Sequence, residues 1–365
     1  MRRAFLVFLL LVRTASRSIV ASPMAGCTPP SVLAAVVRRA AVQDDDLDVG
    51  GICWLEHINM VCGSRHLALA FYSDLLGFNL DAQDQGRSAS FHVNLGRQQL
   101  HLGAGDAIGP AQRLSGSLGL AVPSLNTIRK RLPAATAALD GTSFAVLGDS
   151  PEVLTLCCPW GNVIHAFEVG APTPMPEGTP SVHARHAGID ERMCVANEPG
   201  IRFVEFKAPS GSTARIGAFY EAIFGAKVML GTRESLIGPT APSGTPEEFA
   251  VVGAGPSVSL VFSASRDDKY DAATDHLQRG VHIAVYIQQF KHTYQALAQR
   301  GLIWTNPRFK RLDTCDTYEE AAAGRQYRFR YVTDLSTGDR LLELEHETRS
   351  MRHFQCFKRI SYQPK

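Results

Sequence analysis

The sequence lacks Cys-x-x-Cys pairs and lacks apolar runs long enough to cross a membrane. Its eight cysteines are scattered, and we interpret them as small buried side chains in a reducing compartment. The apolar run Ala4–Val12 has nine residues, whereas a membrane-spanning helix needs about 20. With 45 % apolar and 20 % charged residues, the chain has the profile of a soluble globular protein.

The charge balance shows no excess of either sign that would indicate a nucleic-acid partner. There are 37 Lys and Arg residues against 35 Asp and Glu, a net charge of +2. The first 43 residues contain six arginines and no acid, which leaves a net charge of −4 on the remainder. A mildly acidic body predicts no nucleic-acid binding.

Residues 1–43 have the composition of a targeting presequence. The basic pair Arg2-Arg3, the short apolar run and the small residues after it match a secretory signal. The acid-free, arginine-containing stretch that follows is typical of a transit peptide. Together they predict a two-part plastid presequence, with a mitochondrial presequence or a plain secretory signal as alternatives. We expect an acidic linker at 44–51 and no membrane attachment after removal of the presequence.

The chain repeats itself at an interval of 148 residues. The segment Gly63–Tyr72 aligns without gaps with Gly211–Tyr220, and a glycine follows each copy at Gly77 and Gly225. In the first copy the apolar residues recur at helical spacing, and Gly77 is expected to end the helix in a left-handed conformation. A strand-like segment precedes each helix, and short apolar runs follow it.

The order of strand, helix and two or three strands recurs four times. We therefore predict four βαβββ modules in two pairs, at 52–170 and 200–347. A segment rich in Pro and Gly at 171–199 is expected to link the pairs, and 348–365 is expected to form a C-terminal tail. The fold class is α+β.

Several motifs carry a resemblance to a known family. They include Leu55-Glu56-His57-Ile58, the helix end Phe71–Phe78, and the strand Val281–Ile287. In these features the sequence resembles the vicinal oxygen chelate (VOC) superfamily, which includes glyoxalases and extradiol dioxygenases. The resemblance implies tandem paired βαβββ modules that form two half-open barrels. It also implies a divalent metal held by residues on strands that line a barrel.

Four strand positions in each pair of modules can supply ligands in that superfamily. The matching positions are His57, His101, Ser117 and His165 in the first pair, and Glu205, Val261, His282 and Glu343 in the second. Ser117 and Val261 depart from the usual ligand types. Glu345 shares a strand face with Glu343 because side chains alternate along a strand, so either of the two is a candidate.

The second pair gives the preferred metal site. We predict Glu205, His282 and Glu343 as the ligands of a divalent Fe, Zn, Mn or Ni ion, since imidazole and carboxylate are the usual ligands for these ions. Glu343 is also the predicted catalytic base, because a loosely held carboxylate can take up a proton. The second-choice set consists of the three histidines His57, His101 and His165.

An insertion at Trp304–Arg330 precedes the last strands and ends in a basic, aromatic run. Tyr327, Phe329 and Tyr331 alternate with Arg328 and Arg330, a pattern that predicts a half-buried strand. We predict that Arg328 and Arg330 bind an anionic substrate. The alternative is that they form a solvated strand face.

Two hypotheses about function follow, and the sequence alone leaves open whether the protein is an enzyme. The first is a metal-dependent enzyme with its site in the second pair of modules, acting on a small oxygen-rich substrate. A glyoxalase-like lyase or isomerase and a ring-cleaving dioxygenase-like enzyme both fit it. The second is a metal-free ligand-binding or interaction protein, in which the Glu and His residues form a hydrogen-bond network. The sequence does not indicate an oligomeric state.

Overall fold

The computed structural model describes residues 51–84, 90–104, 109–172, 176, 198–232, 248–265, 280–308 and 313–355. The predicted presequence, the acidic linker apart from Gly51, most of the linker 171–199 and the tail beyond 355 lie outside these residues. The plastid location therefore stays a prediction. Among the described helices, none is long and apolar enough to cross a membrane.

The first module has the predicted order of elements. They are β1 (Ile52–Cys62), α1 (Arg65–Leu69) with a π-helical continuation (Ala70–Leu75), β2 (Asn79–Leu80), β3 (Ser90–Leu95) and β4 (Gln98–Ala104). Ser64 caps α1, because its side chain accepts a hydrogen bond from the Leu67 N–H. Gly77 has a φ of +84° and ends the helix, as its sequence position predicts.

The second and third modules follow the same plan. Their elements are β5 (Ser117–Val122), α2 (Leu125–Ala138), β6 (Ala145–Asp149), β7 (Val153–Cys157), β8 (Val163–Glu168), β9 (Gly200–Ala208), α3 (Thr213–Phe224), β10 (Val228–Thr232), β11 (Glu248–Gly253) and β12 (Ser259–Ala264). Strand β6 was not predicted. A register shift between Val146 and Gly148 breaks the alternation of buried and exposed side chains by which a strand is recognised.

The fourth module contains the insertion. Its elements are β13 (His282–Ile287), α4 (Phe290–Ala298), α5 (Tyr318–Gly324), β14 (Gln326–Thr333) and β15 (Arg340–Ser350). Helix α5 lies within the insertion and begins at a capping box between Thr317 and Glu320. The strand predicted from the alternation of Tyr327, Phe329 and Tyr331 is confirmed as β14.

The strands of the described residues form two mixed sheets. Sheet A has the order β14-β15-β13-β1-β4-β3-β2, and sheet B the order β10-β11-β12-β9-β5-β8-β7-β6. The predicted α+β fold of paired βαβββ modules is confirmed. The modules are paired differently from the prediction, however, and this difference decides which residues can share a site.

The first module shares a sheet with the fourth, and the second with the third. Strand β1 pairs antiparallel with β13, and β5 pairs antiparallel with β9. Our assignment of modules to barrels by their order in the chain was therefore wrong. A strand that is buried on both faces is apolar along its whole length. Its sequence therefore shows that it is buried but does not show which strand it pairs with.

The two sheets approach each other closely at glycines. A Cβ on Gly255, in the turn after β11, would lie 2.6 Å from the carbonyl oxygen of Cys53 on β1. Gln98 joins the sheets as well: its side chain donates to the Leu55 carbonyl at 2.9 Å and accepts from the Ile201 N–H at 2.8 Å. The third and fourth modules are coupled through the Tyr220 hydroxyl, which lies 2.6 Å from His346 Nε2.

This arrangement predicts that neither half of the chain folds alone. We expect a fragment ending in the segment 177–197 and a fragment beginning there to be insoluble or unfolded when expressed separately. The first lacks the partners of β1 and β5, and the second lacks the partners of β9 and β13. Co-expression should give a folded complex, measured by circular dichroism and cooperative thermal unfolding. Cooperative unfolding of either fragment by itself would contradict the observed pairing.

Candidate metal centre

Strand β1 places two consecutive polar side chains in one buried site. A register shift between Leu55 and His57 in the pairing with β13 marks a bulge, and bulges redirect side chains that would otherwise alternate. Glu56 and His57 are 8 % and 1 % exposed. His57 Nδ1 lies 3.1 Å from Glu56 Oε2. We assign the Nδ1–H tautomer from this contact, which leaves the lone pair on Nε2.

His57 Nε2 is buried and has no hydrogen-bond partner among the described residues. Buried polar atoms are nearly always hydrogen-bonded, so an unpartnered one calls for an explanation. An imidazole nitrogen with a free lone pair, held by a carboxylate on its other nitrogen, is the usual state of a metal-ligating histidine.

His282 and Glu347 complete a group of three possible ligands with His57. One ligand atom from each of the three lies within 4.8 Å of the others. His282 Nε2 is 3.7 Å from Glu347 Oε2, and the rings of His57 and His282 are 5.7 Å apart between centroids. The three residues come from β1, β13 and β15, which are neighbours in sheet A. We call the side of sheet A that carries them the site face.

Two arginines hold the carboxylate of Glu347. Arg349 Nη2 is paired with Oε1, and Arg328 Nη2 with Oε2. Arg349 also donates to Glu56, so one guanidinium connects the carboxylate of the metal group with the carboxylate that holds His57. Burial by itself would raise the pKa of Glu347, but Arg349, Arg328 and the two histidines outweigh it and lower that pKa well below its usual value.

His57, His101 and His282 are neutral near pH 7. Burial lowers the pKa of His57, and it lowers the pKa values of His101 and His282 well below the usual value. A neutral imidazole and an ionised carboxylate are the protonation states that a metal ion requires.

The formal charges of the site leave room for a divalent cation. Two buried guanidinium groups pair with four carboxylates, which belong to Glu56, Asp313, Glu345 and Glu347, and of these only Asp313 is partly exposed. Buried charges are costly unless they are balanced. A divalent ion would neutralise this group, so the donor types, the protonation states and the charge all fit a metal site.

The structure divides the preferred predicted set between the two sheets. Glu205 lies on β9 of sheet B, whereas His282 and Glu343 lie on β13 and β15 of sheet A. The Glu205 carboxylate accepts hydrogen bonds from Ser117 at 2.6 Å and Ser263 at 2.7 Å. Each of its oxygens thus has a hydroxyl partner.

The three-histidine set is divided as well. His57 belongs to the group in sheet A, and His101 stacks on it with ring centroids 3.6 Å apart. His101 Nε2 lies 2.9 Å from Gln99 Oε1. His165 lies on β8 of sheet B, where its Nδ1 is 3.1 Å from the Thr155 hydroxyl.

Sequence reasoning missed Glu347 and the role of Glu56. Strand β15 runs to Ser350, beyond the predicted boundary between the second pair of modules and the C-terminal tail at 347/348. The signal for the longer strand was the alternation of Glu343, Glu345, Glu347 and Arg349, which places these four side chains on one face. Glu56 was overlooked because a regular strand would point it away from His57.

Arg328 is buried and so differs from the solvated strand face that was the alternative prediction. Arg328 is 2 % exposed and binds three carboxylates, those of Asp313, Glu345 and Glu347. Its Nε and both terminal nitrogens donate to these carboxylates, which makes Arg328 part of the network around Glu347. Arg330 lies farther along β14 and is partly exposed.

Comparison with known proteins gives structural similarity only. No protein-family model matches the chain, and no curated protein sequence matches it. Glyoxalase I from Zea mays aligns at 11 % identity over 81 % of this chain and 92 % of its own, with a TM-score of 0.46. A putative dioxygenase from Bacillus subtilis aligns at 14 % identity over 82 % and 86 %, with a TM-score of 0.42.

A third structure is the 2,3-dioxygenase LapB from Pseudomonas sp. KL28, with 14 % identity over 82 % of this chain and 93 % of its own and a TM-score of 0.26. The topology itself identifies the fold. Three βαβββ modules and a fourth with two described strands after its helices are joined in pairs through their first strands and form two open sheets. The chain has the VOC fold, as the resemblance implied.

The buried histidines predict a loss of stability on mild acidification. Burial lowers the pKa of His346 to about 3, and His57, His101 and His282 are shifted in the same direction. As the pH falls through about 6.5, the unfolded chain takes up protons that the folded chain does not, so the free energy of unfolding falls. For His346 the fall approaches about 1.4 kcal/mol per pH unit.

This is measured by urea unfolding of chelator-treated protein between pH 7 and pH 5. In His346→Gln, which lies outside the metal group, the loss of unfolding free energy between pH 7 and pH 5 should be smaller by about 2 kcal/mol. If this variant lost as much unfolding free energy over this pH range as the parent protein, His346 would be protonated in the folded chain.

Proposed function

We propose that the protein is a metal-dependent VOC enzyme whose ion is held by His57, His282 and Glu347. The observation that carries the proposal is the buried, unpartnered Nε2 of His57 beside His282 and Glu347. A fully paired hydrogen-bond network would not leave this atom without a partner. The site therefore combines the first and fourth modules, and it is not confined to the second half of the chain.

The composition of the group favours iron. Two histidines and one carboxylate with open positions are typical of non-haem Fe(II) oxygenases. A bound ion of this kind supplies Lewis acidity and open positions at which two adjacent oxygens of a substrate can bind. We infer an aromatic diol as the substrate class and ring-cleaving dioxygenation as the reaction class.

The surrounding residues have distinct tasks. Glu56 fixes the tautomer and the orientation of His57 through the Nδ1 hydrogen bond. Arg328 and Arg349 keep the Glu347 carboxylate ionised and oriented. Burial of all of these side chains excludes water and strengthens their electrostatic interactions.

A second candidate, a glyoxalase-like lyase or isomerase, is favoured by Glu345. This residue lies on the site face two positions from Glu347, and burial raises its pKa. Its carboxylate accepts hydrogen bonds from Asn306 at 2.9 and 3.1 Å and from Arg328 at 2.8 Å. A carboxylate with a raised pKa next to a metal group is suited to take up a proton from carbon.

Metal analysis with a matched control tests the site. Protein purified without chelator and loaded with Fe(II) should contain about one equivalent of iron by plasma mass spectrometry. We expect His57→Ala, His282→Ala and Glu347→Ala to lose it. Glu205→Gln should retain it, because Glu205 is the buried glutamate on the corresponding first strand of sheet B.

Retention of metal in His57→Ala and His282→Ala would overturn the site assignment. Loss confined to Glu205→Gln would move the site to sheet B. A parent protein that takes up no stoichiometric Fe, Zn, Mn or Ni would favour the metal-free binding protein instead.

The reaction class is tested by two assays on the loaded protein. With Fe(II) and a panel of catechols we expect dioxygen consumption and a new absorbance from a ring-opened product, both abolished in His282→Ala. Isomerisation of a thiol adduct of an α-ketoaldehyde, without dioxygen consumption, would support the second candidate. In that case Glu345→Gln should lower kcat by at least about a hundredfold, as expected for loss of a general base.

A further inference from the structure

The site face continues past the metal group to Arg330. Glu343, Glu345 and Glu347 share this face because side chains alternate along β15. Arg330 Nη1 lies 4.0 Å from Glu343 Oε1, which places the guanidinium over the same face. A register shift between Phe329 and Tyr331 in β14 marks a bulge at Arg330. This bulge explains why Arg330 and Tyr331 lie side by side.

Aromatic rings flank the guanidinium of Arg330. Its central carbon is 5.0 Å from the Trp304 ring centroid and 4.7 Å from that of Tyr331. Arg340 covers the Tyr331 ring at 3.9 Å and adds a second positive charge. Rings hold a guanidinium in a fixed plane without using its N–H donors, so the group is oriented in advance for an anion.

The donors of Arg330 are incompletely used. Its Nε is buried and has no hydrogen-bond partner among the described residues. Nη2 donates to the Tyr331 hydroxyl, and the 4.0 Å from Nη1 to Glu343 exceeds hydrogen-bond length. Arg328 differs, because its Nε and both terminal nitrogens all donate to carboxylates.

The separation from the metal group suits one small molecule. Glu343 and Glu347 are four residues apart on β15, about 13 Å along a strand. A ligand that contacts both ends must span what remains of this distance after the reach of the side chains, so it must be elongated, as an aromatic ring with a short side chain is. One ligand could therefore contact both ends.

We propose that Arg330, held between Trp304 and Tyr331, binds the carboxylate of the substrate whose two adjacent oxygens face His57, His282 and Glu347. The substrate class is then an aromatic diol with a short carboxylate side chain. A guanidinium binds a carboxylate through two parallel N–H donors, and such charge-assisted bonds are among the strongest hydrogen bonds. The binding of the diol depends on the proposed function, whereas the binding of the carboxylate depends on Arg330 alone.

Three probes separate the two ends in calorimetric titrations of the Fe(II)-loaded protein under argon. Catechol has only the diol, 3-phenylpropanoate has only the carboxylate, and 3-(3,4-dihydroxyphenyl)propanoate has both. In Arg330→Gln we expect both carboxylate probes to bind at least tenfold more weakly and catechol to bind as before. In His282→Ala we expect catechol binding to be lost and 3-phenylpropanoate binding to be unchanged.

Two further variants complete the design. Arg300→Gln removes an exposed arginine that follows α4 and donates to the Ala296 carbonyl, and it should leave all three affinities unchanged. Arg330→Lys keeps the charge without the planar donors and should recover only part of the affinity.

The outcomes distinguish the two proposals. The carboxylate site would be overturned if the parent protein and Arg330→Gln bound 3-(3,4-dihydroxyphenyl)propanoate with equal affinity. It would also be overturned if the parent protein bound this probe no more tightly than catechol. Catechol binding that survives in His282→Ala would overturn the metal-centred function and leave the Arg330 site intact.

Discussion

The antiparallel pairing of β1 with β13 is the contact on which the candidate site depends. It places Asn59 opposite His282 and His57 opposite Ala284, so the two histidines lie on neighbouring strands although 225 residues separate them in the chain. Strand β13 in turn pairs with β15, which supplies Glu347. Without this pairing, each of the three residues would be a buried polar group without its neighbours, which is energetically costly.

Arg349 connects the two sides of this site. It binds both Glu347 and Glu56, so the carboxylate in the metal group and the carboxylate that holds His57 cannot move independently. Buried ion pairs of this kind contribute little net stability, yet removal of one partner costs about 3–5 kcal/mol because a charge is left uncompensated. We infer that this network is retained for the geometry of the site, since an apolar core would be at least as stable.

Much of the fold was predictable, because periodicity and glycine positions are local properties. The helix ending at Gly77, the strand β14 and the order of strand, helix and strands within the modules were predicted. The partners of β1 and β9 were not, because strand pairing depends on the whole chain. Glu205 aligns with His57 in sequence, but Ser117 and Ser263 give it a hydrogen-bonded role that only the structure shows. The bulge at Glu56 was equally invisible, since it appears only in the pairing with β13.

The nested order of the modules has a consequence for synthesis on the ribosome. The last strand of sheet B, β12, ends at Ala264, whereas the last strand of sheet A, β15, ends at Ser350. Sheet B can therefore be completed earlier during synthesis than sheet A. Until β13 has emerged, the edge of β1 that will meet it is unpaired, and unpaired strand edges invite association with other chains. The candidate metal group is thus among the last parts of the described structure to form, and a nascent chain interrupted before β13 would have a complete sheet B and an incomplete sheet A.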